Sequence, residues 1–342
     1  MVDVTIRGAG VFGLTIAWNC LQRGARVQVV DPNGPGSGAS GGVLGALAPH
    51  VPENWNEKKE FQFQSLLMAE PFWARVEDIS GLSSGYGRTG RLQPIADDRQ
   101  LQQAQARAAS ARDLWQGQAT WQVVPADRDW APASPTGWLI HDTLTARLHP
   151  RQACRALASA LERSGAQILT DAPDRGAVVH ATGVHDLIRL SQHFGRTIGA
   201  PIKGQAAILD HDARTLPQIF ADTVHIVPHG DGTTAIGSTT ERDFTDPTTT
   251  DSQLDDLMTK ARQAVPALAN ATVLNRWAGL RPRSRSRAPM LGNHPLHPNR
   301  FIANGGFKIG FGMAPKIGEV MADLILENRD TIPTSFRPEA SL

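Results

Sequence analysis

The residues with the clearest chemical meaning form a glycine-rich motif near the amino terminus. Gly8, Gly10 and Gly13 follow the pattern GxGxxG, and Asp31 lies 23 residues after Gly8. Glycines at this spacing allow a tight turn, a close approach of the backbone to a pyrophosphate, and close packing of a helix on a strand. Phosphates are attracted by the free N–H groups and the positive end of that helix. Because an acid placed like Asp31 can accept hydrogen bonds from a ribose diol, the motif predicts a dinucleotide site.

A second run of small residues follows between Asp31 and Gly42. Such a run is typical of a flexible linker, but glycine is also used where a ligand or another backbone leaves no room for Cβ. FAD is longer than NAD and needs more places of this kind. We therefore expect FAD, with a linker as the alternative interpretation of this segment.

Other chemical patterns are scarce in the sequence. Neither of the two cysteines, Cys20 and Cys154, belongs to a CxxC or a Cys/His ligand pattern, so the sequence indicates no metal site and two reduced thiols. The eleven histidines fall in no motif that demands general acid or base catalysis.

Composition excludes several classes of protein. A length of 342 residues suggests about two domains. The 34 Lys and Arg nearly balance 33 Asp and Glu, which argues against binding of nucleic acid or membranes through bulk charge. No apolar run reaches the roughly 18–20 residues of a membrane span. Because Met1–Ile6 does not resemble a signal peptide, we expect a cytoplasmic protein.

The motifs are positioned by alternating strands and helices. Strands are predicted at Val2–Arg7, Arg26–Val30, Thr89–Ile95, Gln167–Leu169, Ala177–His180, Ile202–Leu209, Val224–Pro228, Thr234–Gly237, Asn275–Pro282 and Phe301–Asn304. Helices are predicted at Leu66–Asp78 with a break at Pro71, Arg99–Leu114, Pro150–Ser164, Asp251–Ala264 and Ala314–Asn328, and a loop at Pro125–Thr136.

This order predicts an α/β fold (α+β overall) with two interleaved domains. A Rossmann-type FAD-binding domain would comprise residues 1–50, 140–198 and 293–342. A mixed-sheet substrate domain would comprise residues 51–139 and 199–292. The chain should cross between them several times, and a ligand cleft is expected at such an interface.

Further motifs follow along the chain: Gly38-Ala39-Ser40-Gly41-Gly42, Ala181-Thr182-Gly183, Pro201-Ile202-Lys203-Gly204-Gln205, His225-Ile226-Val227-Pro228, Ile236-Gly237-Ser238-Thr239, Trp277-Ala278-Gly279-Leu280-Arg281-Pro282 and Gly305-Gly306-Phe307-Lys308. In order and spacing this set resembles the FAD-dependent D-amino-acid oxidase superfamily. Within it, the set is most similar to the glycine oxidase family, which is associated with thiazole formation in thiamine biosynthesis. The resemblance covers the chain from Val4 to about Leu326.

The resemblance implies a reaction and its participants. Hydride would pass from the Cα of a small amino acid to flavin N5, water would convert the imine to an oxo acid, and oxygen would reoxidise the flavin and yield hydrogen peroxide. The cofactor would carry the difficult step while the protein orients the substrate. Some relatives attach FAD through a cysteine near the carboxyl-terminal flavin loop. This chain has no cysteine after Cys154, so we expect non-covalent FAD.

The resemblance also implies which residues bind substrate. Arg281 matches the carboxylate anchor, for which a guanidinium suits because it makes two parallel hydrogen bonds. Lys308 stands where glycine oxidases carry an arginine. His225 replaces a common tyrosine; it can donate the same hydrogen bond but ordinarily titrates near neutral pH. Thr240 replaces an apolar pocket residue. The usual tyrosine clamp is absent, since Tyr86 is the single tyrosine and lies outside every motif.

The residues expected to bind FAD are Gly8, Gly10, Val11, Phe12, Gly13, Asp31, Ser40, Gly41, Gly42, Thr182, Gly183, Gly306, Lys308, Ile309 and Gly310. The amino end of the last helix, near Gly310, is expected to point at the flavin C2 carbonyl, where negative charge builds up on reduction.

Two alternative functions stay open from the sequence. One is an FAD-dependent dehydrogenase of a D-amino or N-methyl amino acid that does not use oxygen. The other is an oxidoreductase that modifies a tRNA wobble uridine, supported only by the cluster Arg283, Arg285 and Arg287. The exact amine, the role of that cluster, the pathway partners and the oligomeric state, homo-oligomers included, are also open.

Overall fold

The structure is a computed structural model that describes residues 2–127 and 129–342. Met1 of the predicted FAD-binding domain and Arg128 of the predicted 125–136 loop lie outside the described residues. The strands are β1 (Val4–Arg7), β2 (Val27–Val30), β3 (Ala46–Leu47), β4 (Arg91–Pro94), β5 (Trp121–Pro125), β6 (Trp138–Asp142), β7 (Ala146–Arg147), β8 (Gln167–Leu169), β9 (Ala177–His180), β10 (Gly199–Asp210), β11 (Gln218–Ala221), β12 (Val224–Pro228), β13 (Thr234–Gly237), β14 (Thr272–Ser284), β15 (Met290–Asn293) and β16 (Arg300–Asn304). The helices are α1 (Val11–Gln22), α2 (Glu57–Ser80), α3 (Asp98–Leu114), α4 (Pro150–Arg163), α5 (Val184–Phe194), α6 (Ser252–Ala264) and α7 (Gly310–Glu327).

A six-stranded sheet has the order β15-β16-β9-β1-β2-β8. All neighbours in it pair in parallel except β15, which runs antiparallel to β16. Ile6 in its central strand pairs with Val29 on one side and Val179 on the other, and all three are fully buried. Apolar strands buried on both faces are typical of parallel sheets covered by helices.

An eight-stranded mixed sheet has the order β14-β10-β13-β12-β11-β4-β6-β5. Its longest pairing joins β10 to β14 and places Ile202 opposite Arg281. The register of β12 on β13 places His225 opposite Gly237. Because the chain alternates between the two large sheets, the predicted α/β class with an interleaved mixed-sheet unit is confirmed.

Three segments lie elsewhere than the expected domain boundaries put them. The boundary at residue 140 falls inside β6, which belongs to the eight-stranded sheet. The boundary at residue 293 falls inside β15, which belongs to the six-stranded sheet. Helix α2, expected in the substrate domain, packs on α7 and α4. Its apolar face carries Trp73, which joins the core around β1, so burial rather than chain order decides where α2 sits.

Two helices differ from their predicted bounds by a turn or more, and α2 begins at Glu57 rather than at Leu66. Helix α2 continues through Pro71, where the sequence favoured a break. Pro71 is exposed and removes a single backbone donor, while the buried Ala69 and Trp73 hold the helix against the core. Helix α7 begins at Gly310, one turn before the predicted start at Ala314. A helix with the length and apolarity needed to cross a bilayer is not found in residues 2–127 and 129–342.

Candidate active site

The predicted cofactor motifs meet at one edge of the six-stranded sheet. Gly8 follows β1, Asp31 follows β2, Ala181 follows β9 and Gly305 follows β16. These four strands are parallel neighbours, so their carboxyl ends lie side by side. Ligands of such sheets bind in the crevice outside this edge.

The turn after β1 needs glycine at two positions. Gly8 has φ +105°, and a Cβ there would lie 2.4 Å from the Ala181 carbonyl oxygen. A Cβ on Gly13 would lie 1.9 Å from the Gly8 carbonyl oxygen. The first contact brings β1 against β9, and the second brings α1 against β1, as the motif predicts.

The amino end of α1 is open to an anion. Gly10 precedes the helix without a side-chain cap, and the first turn contains no acid. The Val11 N–H donates to Ser40 Oγ at 2.9 Å, which brings the second small-residue segment over the helix end. Beside it, Asp31 Oδ2 accepts from the Ala9 N–H at 2.8 Å. The geometry fits a pyrophosphate at α1 and a diol at Asp31.

The run of small residues forms close contacts and is not an unpacked linker. A Cβ on Gly41 would lie 2.2 Å from the Gly36 carbonyl oxygen, and one on Gly42 would touch the Trp277 ring at 3.4 Å. Arg151 Nε donates to the Gly41 carbonyl at 2.8 Å. The Trp277 contact joins the cofactor edge to β14 of the other sheet.

The far side of the edge is built from β9, β16 and α7. Gly183 has φ +61° at the start of α5, and its carbonyl accepts from Asn304 Nδ2 at 2.8 Å. The hydroxyl of Thr182 is buried and has no hydrogen-bond partner among the described residues. A Cβ on Gly306 would lie 2.8 Å from the Phe12 ring.

Helix α7 presents a second open amino end. Ile309 precedes it without a side-chain cap in the described part of the chain, and its N–H donates to the Gly306 carbonyl. Gly310 is the first helical residue. The open ends of α1 and α7, the glycine surfaces and the orphaned Thr182 hydroxyl together fit a long dinucleotide.

Arg281 lies in β14, next to a residue that is bonded to the loop after β16. The Phe307 N–H donates to the carbonyl of Pro282, the next residue, at 3.0 Å. Arg281 Nη1 donates to Ser238 Oγ at 2.8 Å, and Nη2 donates to the Thr239 carbonyl at 2.5 Å. The guanidinium occupies the space above Gly204, where a Cβ would lie 1.7 Å from Nη2.

The guanidinium is buried but incompletely bonded. Arg281 is 9% exposed, and its Nε has no hydrogen-bond partner among the described residues. Burial lowers the pKa of Arg281 to about 10, although the Glu241 carboxylate acts in the opposite direction. Arg281 therefore keeps its charge at pH 7 and can still donate from Nε and from the second N–H of Nη1.

Lys308 brings a second positive charge to the same place. Desolvation and the charge of Arg281 lower the pKa of Lys308 to about 8. The Arg281 guanidinium and the Lys308 ammonium lie 5.7 and 5.9 Å from the centroid of the Phe307 ring. Lys308 is exposed while Arg281 is buried, and two cations near one ring favour a small anion in their vicinity.

His225 belongs to this group, but Thr240 is not bonded to it. His225 lies opposite Gly237, next to the Ser238 that binds Arg281. Burial and the charges of Arg91 and Lys308 lower the pKa of His225 to about 3. A pKa this low leaves His225 neutral at physiological pH, although histidine ordinarily titrates near neutrality. Thr240 is exposed, and within the described residues it has no hydrogen bond to Arg281, His225 or Lys308.

Sequence reasoning missed the polar group that fixes the backbone under Arg281. Gln205 Nε2 donates to Glu241 at 3.0 Å and to Asp251 at 2.8 Å. Lys203 Nζ lies 3.4 Å from both carboxylates. The Gln205 N–H donates to Thr239 Oγ1 at 2.8 Å. The polar residues Lys203 and Gln205, at alternate positions of a buried strand, were the signal in the sequence that could have indicated this polar group.

The fold and the site together define a Rossmann-type dinucleotide-dependent enzyme with two cationic side chains beside its cofactor edge. A family model for FAD dependent oxidoreductases, named DAO, matches residues 3–324. The chain therefore belongs to the DAO family of FAD dependent oxidoreductases. The resemblance drawn from the sequence motifs is confirmed, and so is FAD as the cofactor.

Individual relatives share at most 28% of their residues with this chain in the three comparisons that follow. The chain is 28% identical to the glycine oxidase of Pseudomonas putida over 381 residues, which covers 99% of each protein. It is 25% identical over 356 residues to the bifunctional protein ThiO/ThiG of Nostoc sp., covering 96% of this chain and 53% of that protein. The chain thus spans about half the length of the bifunctional relatives. The crystal structure of glycine oxidase from Geobacillus kaustophilus superimposes with a TM-score of 0.83 at 21% identity, covering 98% of this chain and 97% of that one.

Proposed function

We propose that this protein catalyses the oxidative deamination of glycine or a similarly small amino acid, with oxygen as the electron acceptor and an oxo acid and hydrogen peroxide as products. The observation that carries the proposal is the pair of cations, Arg281 and Lys308, held beside the loop that leads into α7. A buried guanidinium with free donors is suited to the carboxylate of an amino acid.

Each side chain has a defined task in this proposal. Bound FAD supplies the two-electron acceptor that takes the hydride from the substrate Cα. Arg281 holds the substrate carboxylate through an N–H that its bonds to the protein leave free, either that of Nε or the second one of Nη1. Lys308 adds positive charge beside the flavin loop. His225, being neutral, supplies a hydrogen bond without adding a third charge. The open amino end of α7 stabilises negative charge that develops near it.

The relatives support this choice of reaction. Proteins that match nearly the whole chain carry the name glycine oxidase. The match to ThiO/ThiG proteins supports a link to thiamine biosynthesis as part of the proposal. Two free, buried cysteines support a reducing, cytoplasmic location.

We also propose that FAD is held without a covalent bond. Cys20 and Cys154 are buried, and desolvation raises the pKa of each thiol to about 12, which leaves them unreactive. Denaturing the yellow protein in acid should release all of the flavin into the supernatant. Colour that stays in the washed pellet would contradict the proposal.

Oxygen and peroxide measurements separate the oxidase from the dehydrogenase alternative. The FAD-loaded protein is supplied with glycine, sarcosine, D-alanine or D-proline under air. The proposal predicts oxygen uptake with a matching amount of peroxide. Turnover only with an artificial dye as acceptor would favour the dehydrogenase.

The alternative function, modification of a tRNA, rests on the cluster Arg283, Arg285 and Arg287 and can be tested. Arg285 and Arg287 are exposed, as a nucleic-acid contact requires. A tRNA-modifying enzyme should bind tRNA with an affinity that falls steeply with salt. The proposed amino-acid oxidase should show no such binding at physiological salt.

A further inference from the structure

A group of metal-ligating side chains lies away from the flavin edge. His149, His229 and Asp231 each place one ligand atom within 4.8 Å of the other two. His149 directly precedes α4, and the other two lie in the turn between β12 and β13. The three residues come from two segments 80 positions apart in the sequence, so the spacing rules for metal motifs give no signal for them.

The two imidazoles are buried with ring nitrogens that lack partners. His229 is 1% exposed and His149 is 8% exposed. His229 Nε2 and His149 Nδ1 have no hydrogen-bond partner in the described part of the chain. The ring centroids are 4.6 Å apart. Buried polar atoms are rarely left unsatisfied, so a ligand between the rings would account for both nitrogens.

The hydrogen bonds around His229 fix which of its nitrogens is free. The N–H and the hydroxyl of Thr233 both donate to Asp231 Oδ1, at 3.1 and 2.8 Å. Since its hydrogen is used in this way, Thr233 Oγ1 can only accept from His229 Nδ1, which lies at 3.3 Å. The proton of neutral His229 is then on Nδ1, and the Nε2 lone pair is free. Outer partners of this kind orient the histidines of metal sites.

The chemistry of the three side chains also suits a cation. Two neutral imidazoles and one carboxylate form a recurrent ligand set for Zn²⁺, with a fourth position for water.

The surrounding groups leave this carboxylate available. Arg147 lies near His229, but its guanidinium donates to the carbonyls of Gly85 and Arg214, at 2.8 and 2.9 Å. Gln152 Nε2 donates to Asp231 Oδ2 at 3.0 Å and orients it. A carboxylate has lone pairs for both bonds and for a metal.

A second histidine group in the fold also has buried atoms without partners, His294 Nε2 and Asp186 Oδ2, but its hydrogen bonds suit a cation less well. His180, Asp186 and His294 also lie within reach of one ion. However, His294 Nδ1 accepts from the Leu296 N–H at 3.1 Å, which places the proton of the neutral ring on the Nε2 that would have to bind. Asp186 is paired with Arg189 at 3.1 Å. This group therefore serves as a control.

We propose that His149, His229 and Asp231 bind one Zn²⁺ ion, which joins the start of α4 to the β12–β13 turn. The ion links a helix that packs on the cofactor side to the eight-stranded sheet. It also fixes the end of β12, the strand that carries His225. The cysteine spacing indicated no metal site, but that inference applies only to ligands that lie close together in the sequence.

Zinc binding is measured on the FAD-loaded full chain, freed of any affinity tag and treated with a chelator. Zn²⁺ is titrated calorimetrically, bound metal is measured by mass spectrometry, and Co²⁺ serves as a spectroscopic probe. We expect about one Zn²⁺ per chain, an increase in the unfolding temperature, and a tetrahedral Co²⁺ spectrum, because N and O ligand sets of this kind select late first-row metals. Mg²⁺ should not compete.

Variants then test the ligand assignment. His149→Gln and His229→Gln should lose the bound Zn²⁺, whereas His294→Gln, from the control group, should keep it. Thr233→Val, which removes only the orienting hydroxyl, should weaken binding by about 10–100-fold. Asp231→Asn, on an exposed residue, is the alternative if a histidine variant fails to retain FAD. No uptake by the wild-type chain at micromolar Zn²⁺, or unchanged uptake by His229→Gln or Asp231→Asn, would overturn the proposal.

Discussion

Replacing Arg281 by methionine tests the carboxylate anchor while preserving side-chain volume. In the structure the guanidinium is 9% exposed and is held by Ser238 and Thr239. Removing one partner of a desolvated charge pair costs about 2–5 kcal/mol. At 1.4 kcal/mol for each tenfold change, kcat/KM for a small amino acid should fall by about 30- to 4,000-fold.

The assay must separate loss of the anchor from loss of the fold. Arg281→Met should retain its FAD, because the guanidinium bonds to the backbone of the substrate sheet. Binding of acetate, followed through the flavin absorbance, should weaken together with kcat/KM, since acetate keeps the carboxylate and lacks the amine.

A matched control lies on the same strand. Arg276 is exposed and pairs with Asp255 at 2.7 Å. Arg276→Met should keep kcat/KM and acetate binding close to those of the wild type. If Arg281→Met retains FAD and has the kcat/KM of the wild type, the anchor is elsewhere and the reasoning is refuted.

Three further predictions follow from the same geometry. Because the pKa of Lys308 is lowered to about 8, its ammonium loses charge as the pH rises through that value, so acetate binding should weaken above pH 8. Lys308→Met should bind acetate weakly at all pH values, and a pH dependence that persists in this variant would contradict the assignment. Gly204→Ala should lower kcat/KM as Arg281→Met does while FAD stays bound, because its Cβ would lie 1.7 Å from Arg281 Nη2; normal kinetics would show that the guanidinium sits elsewhere. Asp142→Ala should lower the free energy of urea unfolding by about 3–5 kcal/mol, because it leaves the buried Arg91, 2.9 Å away, without a counter-charge. The control Asp255→Ala breaks an exposed pair and should change stability little, and equal effects of the two variants would contradict the prediction.

Local motifs were predictable because their chemistry lies within a few consecutive residues. Gly13 is required by a contact inside one strand–turn–helix unit, and Gly8 by its positive φ in the same turn, so the local motif identifies both. Strands β12 and β13 were predicted for the same reason, since each is a short, mostly apolar run. Strands β10 and β14 were predicted as Ile202–Leu209 and Asn275–Pro282, and both are longer in the structure.

Features that depend on distant segments were not predictable from a single sequence. The bonds of Gln205 to Glu241 and Asp251 span 36 and 46 positions, and nothing local to Gln205 specifies them. Pro71 suggested a break, but packing of α2 on the core outweighs one lost hydrogen bond. The pKa of His225 follows from burial and from Arg91 and Lys308, none of which its own motif reveals.

The most direct test of the central claim is anaerobic reduction of the bound flavin. The FAD-loaded protein is mixed without oxygen with glycine, sarcosine, D-alanine or D-proline, and the absorbance of the oxidised flavin is followed. The account predicts that at least one of these amino acids bleaches the flavin, and that Arg281→Met slows this reduction at low substrate concentration. A flavin that dithionite reduces but that none of the four amino acids reduces would contradict the account.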